Sequence, residues 1–329
     1  MTRSLIPQLS FALLAAWLAS AGAFAAGSGP VQTDHLRSRL VAETSTAVPG
    51  SRLTLGLLLE HDPHWHTYWR NPGDSGLPTR LDLTLPPGVV AAPIAWPHPE
   101  RFEISGIVNF GYSGRHLLPV IIAIPADYAA LTLPVRVKAR WLICEENCIP
   151  GKAEYALDLP VRRTAEPDRQ WQGDFATARR DQPSESPAVL TIAEDGDAML
   201  LTLSGLDAAA MPVAWQWFPE TPELVANGAH PQWRRTADTW QARWSKSEYF
   251  TTLPAEVAMV AVEDEGVARR FVARLAAPAA HAAALPAPTT TPALTDKKPV
   301  TPRPSSVMLY ALSGGLILVL MLFAWRRKR

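Results

Sequence analysis

The chain has 329 residues, of which 31 are basic and 31 are acidic, so its formal net charge is zero. No basic stripe indicates nucleic acid as a partner, and no acidic run indicates a disordered solvating tail. The part of the chain between its two terminal segments, about residues 31–276, is too long for one typical domain and fits two.

The first segment, residues 1–25, is typical of a secretory signal peptide. Arg3 precedes an apolar run rich in Ala and Leu, which ends in the small-residue pattern Ala23-Phe24-Ala25. Such a pattern marks a cleavage site. The body of the chain is therefore expected to fold outside the cytoplasm, where cysteine pairs become oxidised.

Residues 26–165 predict a β-sandwich domain. In the run 131–143, the apolar residues from Val135 to Trp141 share one face of a strand and the basic residues between them share the other. One buried and one wet face are typical of an antiparallel sandwich strand. Similar alternation over eight, six and nine residues predicts further strands at 52–59, 80–85 and 153–161.

Residues 166–187 are charged and predict a connector with a short helix. Short aromatic or β-branched runs follow and predict a second β-sandwich over residues 188–276, with strands at 188–193, 199–205, 213–218, 239–244, 256–262 and 269–275. The fold class is therefore all-β. Neither half contains a Gly-rich phosphate loop, a Ser-His-Asp arrangement or a paired-carboxylate motif, and we interpret the many Trp residues as core.

The C-terminal part predicts a stalk and a membrane anchor. Residues 277–306 are rich in Pro, Ala and Thr, a composition that favours an extended linker. Residues 307–325 carry no charge and are long enough for one transmembrane helix. The basic residues 326–329 indicate a cytoplasmic tail. The prediction is a single-pass protein of the inner, cytoplasmic membrane with its body in the periplasm.

The chain contains two cysteines, Cys144 and Cys148. In a straight strand their Cα atoms would lie ~13 Å apart, whereas a disulfide requires ~4.4–6.8 Å. A bridged pair therefore needs a turn at Glu145-Glu146-Asn147, in a hairpin tip or a single helical turn. A tip would leave the pair accessible to solvent.

Such a short loop makes a weak staple. Closing about five residues is worth ~2 kcal/mol of chain entropy, against ~4.7 kcal/mol for a loop of about a hundred residues. This difference favours a redox couple over a structural disulfide. Glu145 and Glu146 disfavour a thiolate beside them, with Arg140 and Lys152 as a partial offset. That charge pattern suits a disulfide that is attacked by a partner's thiolate.

Two alternatives to redox exchange stay open. In the first, the domain binds or delivers copper, which thiolates and imidazoles suit as ligands. The segment 61–66 supplies His61, His64 and His66, and the ligand set would be Cys144, Cys148, His64 and His66. In the second, the disulfide is structural and the β domain only binds a partner.

Three blocks of the sequence stand out: HWHTYWRNPGDSGLPT at 64–79, WPHPERFEISGIVNFGYSGRHLLPV at 96–120 and ARWLICEENCIP at 139–150. Together and in this order they resemble the periplasmic N-terminal region of the DsbD/ScsB thiol-disulfide reductases. The ScsB branch, which is tied to copper-stress tolerance, fits better than DsbD itself. The resemblance covers roughly residues 31–275.

The resemblance implies an immunoglobulin-like sandwich, and we expect the second domain to be of the same kind. Cys144 and Cys148 match the redox pair, which needs no bound cofactor. Phe102 matches the aromatic residue of a cap loop that shields the disulfide. Tyr68 and, more loosely, His66 match aromatic residues that line the site beneath the cap. The comparison favours Cys144 as the sulfur attacked first, and a purely core role for Phe102 and Tyr68 is the alternative.

In this family, electrons come from a membrane-embedded thiol relay and pass to periplasmic thioredoxin-like proteins. The 329 residues contain neither the relay nor a thioredoxin-like domain. We therefore expect a separate multi-helix relay that acts in trans. The alternative is a domain that still binds its partners but has lost the reductase activity. The sequence predicts a membrane-anchored electron carrier that resembles protein-disulfide reductases, in copper-stress tolerance or cytochrome maturation.

Overall fold

The computed structural model describes residues 26–207, 209–263 and 266–275. The predicted signal peptide, linker, transmembrane helix and basic tail lie outside these residues. Among the residues described, no helix has both the length and the apolar character needed to cross a membrane.

The first part of the chain consists of strands, as its alternating pattern predicts. They are β1 (Val31–Thr33), β2 (Leu36–Ala42), β3 (Arg52–His61), β4 (His66–Gly73), β5 (Arg80–Thr84), β6 (Val90–Ile94), β7 (Glu100–Ile104), β8 (Ile107–Ser113), β9 (Arg115–Ala123), β10 (Thr132–Cys144) and β11 (Cys148–Pro160). The predicted connector helix is present as α1 (Gln172–Arg180).

These strands form an immunoglobulin-like β-sandwich. One sheet has the order β1-β2-β3-β9-β6, and the other has the order β11-β10-β4-β8-β7, with β5 paired to β10. Buried side chains such as Leu57, Val120 and Val137 form one core between the sheets. The all-β prediction for this region is confirmed.

Strand β10 shows why the sequence pattern was informative. Every second residue from Leu133 to Ile143 is apolar and buried. The residues that alternate with them, from Thr132 to Arg140, are exposed. It pairs with β11 along its whole length, from Thr132 opposite Pro160 to Cys144 opposite Cys148. The two cysteines therefore close the tip of a long hairpin.

The second part of the chain is also built of strands. They are β12 (Ser184–Glu185), β13 (Val189–Asp195), β14 (Ala198–Ser204), β15 (Gln216–Pro219), β16 (Gln232–Thr236), β17 (Thr239–Ser245), β18 (Val257–Val262) and β19 (Ala268–Leu275), with a 3-10 turn at Pro212–Ala214. These strands join in one hydrogen-bonded sheet of order β15-β18-β19-β13-β14-β17-β16, with β12 on β19. The sheet is continuous because β13 and β19 pair in parallel.

This sheet curls around a second core, so the predicted second sandwich takes the form of one folded sheet. Trp217 on β15 and Trp233 on β16 belong to the two ends of the sheet, yet their ring centroids lie 4.9 Å apart. Inward residues from both halves, such as Leu201 and Met259, share the enclosed core. We refer to this unit as the second sandwich.

The two cores meet at strand β18, all six residues of which are buried. Met259 and its alternate neighbours pack in the second core, whereas Val260 and Val262 pack in the first. Phe218 of β15 also enters the first core and packs edge-on against Phe110 at 5.3 Å. Burial of one such aromatic side chain contributes ~1.5–3 kcal/mol, so the second sandwich is firmly attached to the first.

Candidate functional site

The two cysteines form a disulfide at the tip of the β10–β11 hairpin. Their Cα atoms are 4.2 Å apart, and the bridge spans four positions of the chain. Glu145, Glu146 and Asn147 form the turn between them and are exposed. The predicted turn at these residues is confirmed, in its hairpin form.

The two sulfur-bearing residues differ in exposure. Cys144 is only 2% exposed, whereas Cys148 belongs to the exposed class. Cys144 follows the core residue Ile143 and so lies on the outer face of the sheet, where neighbouring side chains cover it. By exposure alone a partner reaches Cys148 more easily than Cys144, whereas the family comparison favours Cys144 as the sulfur attacked first; the order of attack stays a prediction.

Tyr68 of β4 lies against the disulfide. Its hydroxyl donates a hydrogen bond to Cys144 Sγ at 2.8 Å and lies 3.6 Å from Cys148 Sγ. The side chain is 1% exposed, and burial raises the pKa of the phenol, with Ser75 opposing through a hydrogen bond. The phenol therefore stays protonated and remains a donor to sulfur at neutral pH.

His66 lies directly opposite Cys144 in the pairing of β4 with β10. It is 1% exposed, and within the described part of the chain neither ring nitrogen has a hydrogen-bond partner. Burial lowers its pKa, and the nearby charge of Glu100 opposes that shift. The ring meets Tyr68 edge-on at 5.2 Å. The imidazole of His66 is therefore neutral at pH 7 and packs against the ring of Tyr68.

Strands β7 and β8 form a hairpin beside these residues, which we call the cap hairpin (residues 100–113). Ser105 and Gly106 make its tight turn with φ values of 54° and 82°, as two-residue hairpin turns require. Phe102 of β7 stacks on His66 with ring centroids 4.4 Å apart and planes 12° apart. The structure therefore brings Phe102, His66, Tyr68 and Cys144 into one cluster.

Gly76 belongs to the site but was not identified in the sequence. It has a φ of +95°, and a Cβ atom there would lie 2.2 Å from Tyr68 Cε1. The β4–β5 loop (residues 74–79) can therefore lie flat on the Tyr68 ring only because residue 76 is glycine. The turn segment NPGDSG was visible in the sequence, but its contact with Tyr68 depends on the fold.

The histidines of the segment 61–66 diverge. His64 is exposed on a turn with a φ of 73°, His66 is buried, and His61 bonds to Thr67 Oγ1 and to the carbonyl of Gly114. Among the described residues, no three or more His, Cys, Asp or Glu side chains gather in a way that would hold a metal ion. The copper alternative stays a prediction, which anaerobic Cu(I) titration of the reduced protein would test.

The fold and the site define a class: a β-sandwich domain that carries a partly accessible disulfide on a hairpin tip, lined by aromatic side chains. Residues 37–160 match the family described as thiol:disulfide interchange protein DsbD, N-terminal. This part of the chain is therefore an N-terminal domain of the DsbD/ScsB type, and the resemblance stated from the sequence is confirmed.

One solved structure agrees on the fold. The N-terminal periplasmic domain of ScsB from Proteus mirabilis matches with a TM-score of 0.55 at 18% identity, over 75% of this chain and 97% of that one. Spo0M, a sporulation control protein from Bacillus subtilis, matches with a TM-score of only 0.20 at 9% identity, over 71% and 83% of the chains. A search of curated proteins gave no match.

Proposed function

We propose that the first sandwich exchanges electron pairs with thioredoxin-like proteins through Cys144 and Cys148. The observation that carries this proposal is the unequal burial of the two cysteines, 2% exposure for Cys144 against an exposed Cys148. One sulfur can be reached by a partner, and the other can leave beside the hydroxyl donor of Tyr68. A plain staple needs neither feature.

The first step begins when a thiolate of a reduced partner attacks Cys148 Sγ. A bond between the partner's sulfur and Cys148 forms while the Cys144–Cys148 bond breaks, and Cys144 departs as a thiolate. Tyr68 stabilises this thiolate through the hydrogen bond that it already donates to Cys144 Sγ at 2.8 Å. Hydrogen bonds to charged acceptors are the stronger class.

The second step resolves the mixed disulfide. The partner's second thiolate attacks the partner's own sulfur in the mixed disulfide, and Cys148 leaves as a thiolate. Two electrons have then moved to this domain, and both of its thiolates take up protons from water. The reverse sequence passes the electrons to an oxidised partner, so no bound cofactor is required.

We place this reaction in the periplasm, on a protein held at the inner membrane by one helix. The support is the predicted signal peptide at residues 1–25 and the predicted anchor at residues 307–325. The 329 residues hold no cysteine besides the pair. In this proposal the electron donor is a multi-helix membrane relay that acts in trans, and the physiological setting is copper stress or cytochrome maturation, as the family resemblance implies.

Trapping tests the exchange reaction. Full-length Cys144→Ser and Cys148→Ser variants are each incubated with a thioredoxin-like protein whose resolving cysteine is replaced by serine and whose attacking cysteine is activated as a mixed disulfide. Cys144→Ser keeps the exposed Cys148 and is expected to accumulate the cross-linked species. Cys148→Ser keeps only the buried Cys144 and is expected to trap little.

The outcome is read on non-reducing gels and by mass spectrometry of the linked peptides. A cysteine-free double variant is the control for non-specific bands. If both single variants fail to link to any thioredoxin-like protein, the disulfide is structural and the exchange proposal is wrong. If Cys148→Ser links more strongly than Cys144→Ser, the order of attack proposed here is reversed.

A further inference from the structure

The second sandwich touches the redox domain at a point close to the disulfide site. Asn227, in the loop between β15 and β16, is only 7% exposed. Its Nδ2 donates a hydrogen bond to Asp74 Oδ1 at 2.9 Å. Asp74 is the first residue of the β4–β5 loop, which lies on Tyr68. A buried amide of one sandwich thus holds a loop of the other.

Asp74 is also hydrogen-bonded to the cap hairpin. Its backbone N–H donates to the carbonyl of Val108 at 2.8 Å, and its Oδ2 accepts from the Val108 N–H at 2.8 Å. Gly73, just before it, has a φ of +90°, and a Cβ atom there would lie 2.3 Å from the Val108 oxygen. The loop and β8 are therefore in close backbone contact.

The same loop positions the phenol that contacts sulfur. Gly76 lies flat against the Tyr68 ring, and Pro78 forms a β-bridge with Tyr68. Ser75, which accompanies them, hydrogen-bonds to Asn109 of the cap hairpin through both its N–H and its hydroxyl. Movement of this loop would therefore shift both the cap hairpin and Tyr68.

One direct contact and one electrostatic effect also link the cap hairpin to the second sandwich. Phe110 of β8 packs edge-on against Phe218 at 5.3 Å. On β7, Arg101 and Glu103 lie on the face opposite to Phe102, and their charges act on His230, whose pKa is lowered mainly by burial and further by Arg101. Phe102 of β7 thus covers His66, and the charges on the opposite face of β7 act on a histidine of the second sandwich, Arg101 lowering its pKa and Glu103 raising it.

We propose that the second sandwich braces the redox site, and that Asn227 and Asp74 are positioning residues that hold the cap hairpin over His66 and the β4–β5 loop on Tyr68. The brace gives a role to a domain that carries no cysteine. The role of this brace in electron transfer rests on the exchange reaction proposed above. The experiments that test whether the brace exists do not depend on that reaction.

The test compares three variants of the full-length protein with the wild type. Asn227→Asp places a carboxylate against Asp74 and replaces the bond by repulsion. In the double variant Asn227→Asp with Asp74→Asn, the new amide at 74 donates to the new carboxylate at 227, and its oxygen still accepts from Val108. Arg70→Gln is the matched control, because it removes a different contact between the sandwiches (3.0 Å to Glu220) and leaves Glu220 paired with Arg270.

Hydrogen exchange measured by mass spectrometry is the first measurement. Asn227→Asp is expected to speed exchange in residues 74–79 and 100–111 by about fivefold, the effect of losing a hydrogen bond of ordinary strength. Exchange in β10 at residues 132–143 should stay unchanged. The double variant should restore wild-type exchange, and Arg70→Gln should leave the cap hairpin unaffected.

The second measurement is the rate of disulfide reduction by dithiothreitol, a reagent that needs no protein partner. Asn227→Asp is expected to react about threefold or more faster, because a looser cap hairpin exposes the site more often. The double variant should return to the wild-type rate. If Asn227→Asp fails to fold, Asn227→Ala with the same two measurements takes its place.

The brace is contradicted if Asn227→Asp changes neither the local exchange nor the reduction rate. It is also contradicted if Arg70→Gln has the same effects, since the second sandwich would then act only through general stability. Failure of the exchange proposal gives a different result: no mixed disulfide with thioredoxin-like proteins, while the response to dithiothreitol persists.

Discussion

The hydroxyl of Tyr68 lies 2.8 Å from the sulfur of Cys144, although 76 positions separate the two residues in the chain. Antiparallel pairing of β4 with β10 sets His66 opposite Cys144, and Tyr68 is the next residue of β4 on that same face. The pair joins the strand that carries the aromatic side chains to the hairpin that carries the disulfide. The hydroxyl thus donates to the sulfur of the bridged cysteine.

Replacement of Tyr68 by Phe removes this donor and keeps the ring. A hydrogen bond to a charged group is worth ~1.5–3 kcal/mol, so the Cys144 thiolate should form less readily and reduction by dithiothreitol should slow about tenfold. The rate is followed by alkylation and mass spectrometry. Tyr112→Phe is the control, because the Tyr112 hydroxyl donates to the carbonyl of Pro97 at 2.8 Å and not to sulfur. Equal slowing in both variants would contradict a specific role for Tyr68.

Truncation of Phe102 to Ala should open the site. Loss of the ring stacked on His66 at 4.4 Å uncovers an imidazole that is 1% exposed in the native fold. We expect reduction by dithiothreitol to speed up severalfold and the free energy of unfolding to fall by ~1–3 kcal/mol. Tyr249→Ala, which removes an aromatic side chain that is 64% exposed, should change neither quantity. An unchanged rate for Phe102→Ala would show that the ring serves only packing.

Alanine at Gly76 should be more harmful than alanine at Gly106. Both residues have positive φ, +95° and +82°, but a Cβ atom meets the Tyr68 ring only at Gly76, while at Gly106 it meets nothing within 4 Å. Backbone strain of ~1–3 kcal/mol is common to both variants, so their difference isolates the contact with Tyr68. Urea unfolding measures the stabilities, and dithiothreitol reduction should be altered in Gly76→Ala alone. Equal losses of stability would refute the close approach.

Stability should fall as the pH drops below neutral. Burial lowers the pKa of His61 from 6.5 to about 4, with the charges of His116 and His66 adding to this effect and a hydrogen bond to the Gly114 carbonyl opposing it. Because the folded-state pKa is the lower one, the unfolded chain binds more protons between these two values. Stability is therefore full above the ordinary pKa and is lost, by up to about 1.4 kcal/mol per pH unit, as the pH falls through this window.

Urea unfolding at pH 7, 6 and 5 checks this expectation. His61→Gln keeps a polar side chain without a titrating group and should show a shallower decline than the wild type. His64→Gln, at an exposed turn position, should follow the wild-type decline. If His61→Gln declines as steeply as the wild type, other groups carry the acid sensitivity.

Much of the fold could be predicted because strand faces are a local property. The alternation around Val135 and Val137 identifies the buried face of β10, since successive side chains of a strand point to opposite sides. The turn at Glu145–Asn147 followed from the reach of a disulfide. The same pattern of apolar residues predicted residues 256–262 as an ordinary sandwich strand. It could not reveal that Val260 packs in one core and Met259 in the other.

The sequence by itself determined that the chain is built of β-strands, that its two cysteines meet across a tight turn, and which family the domain around them resembles. Each of these depends on residues close together in the chain, whose spacing sets the geometry. Only the tertiary structure decided that Cys144 is covered while Cys148 is exposed, that His66 is buried without a hydrogen-bond partner in the described fold, and that Asn227 reaches Asp74. Those properties depend on which distant segment covers a side chain, and periodicity within one strand carries no information about the segment packed against it.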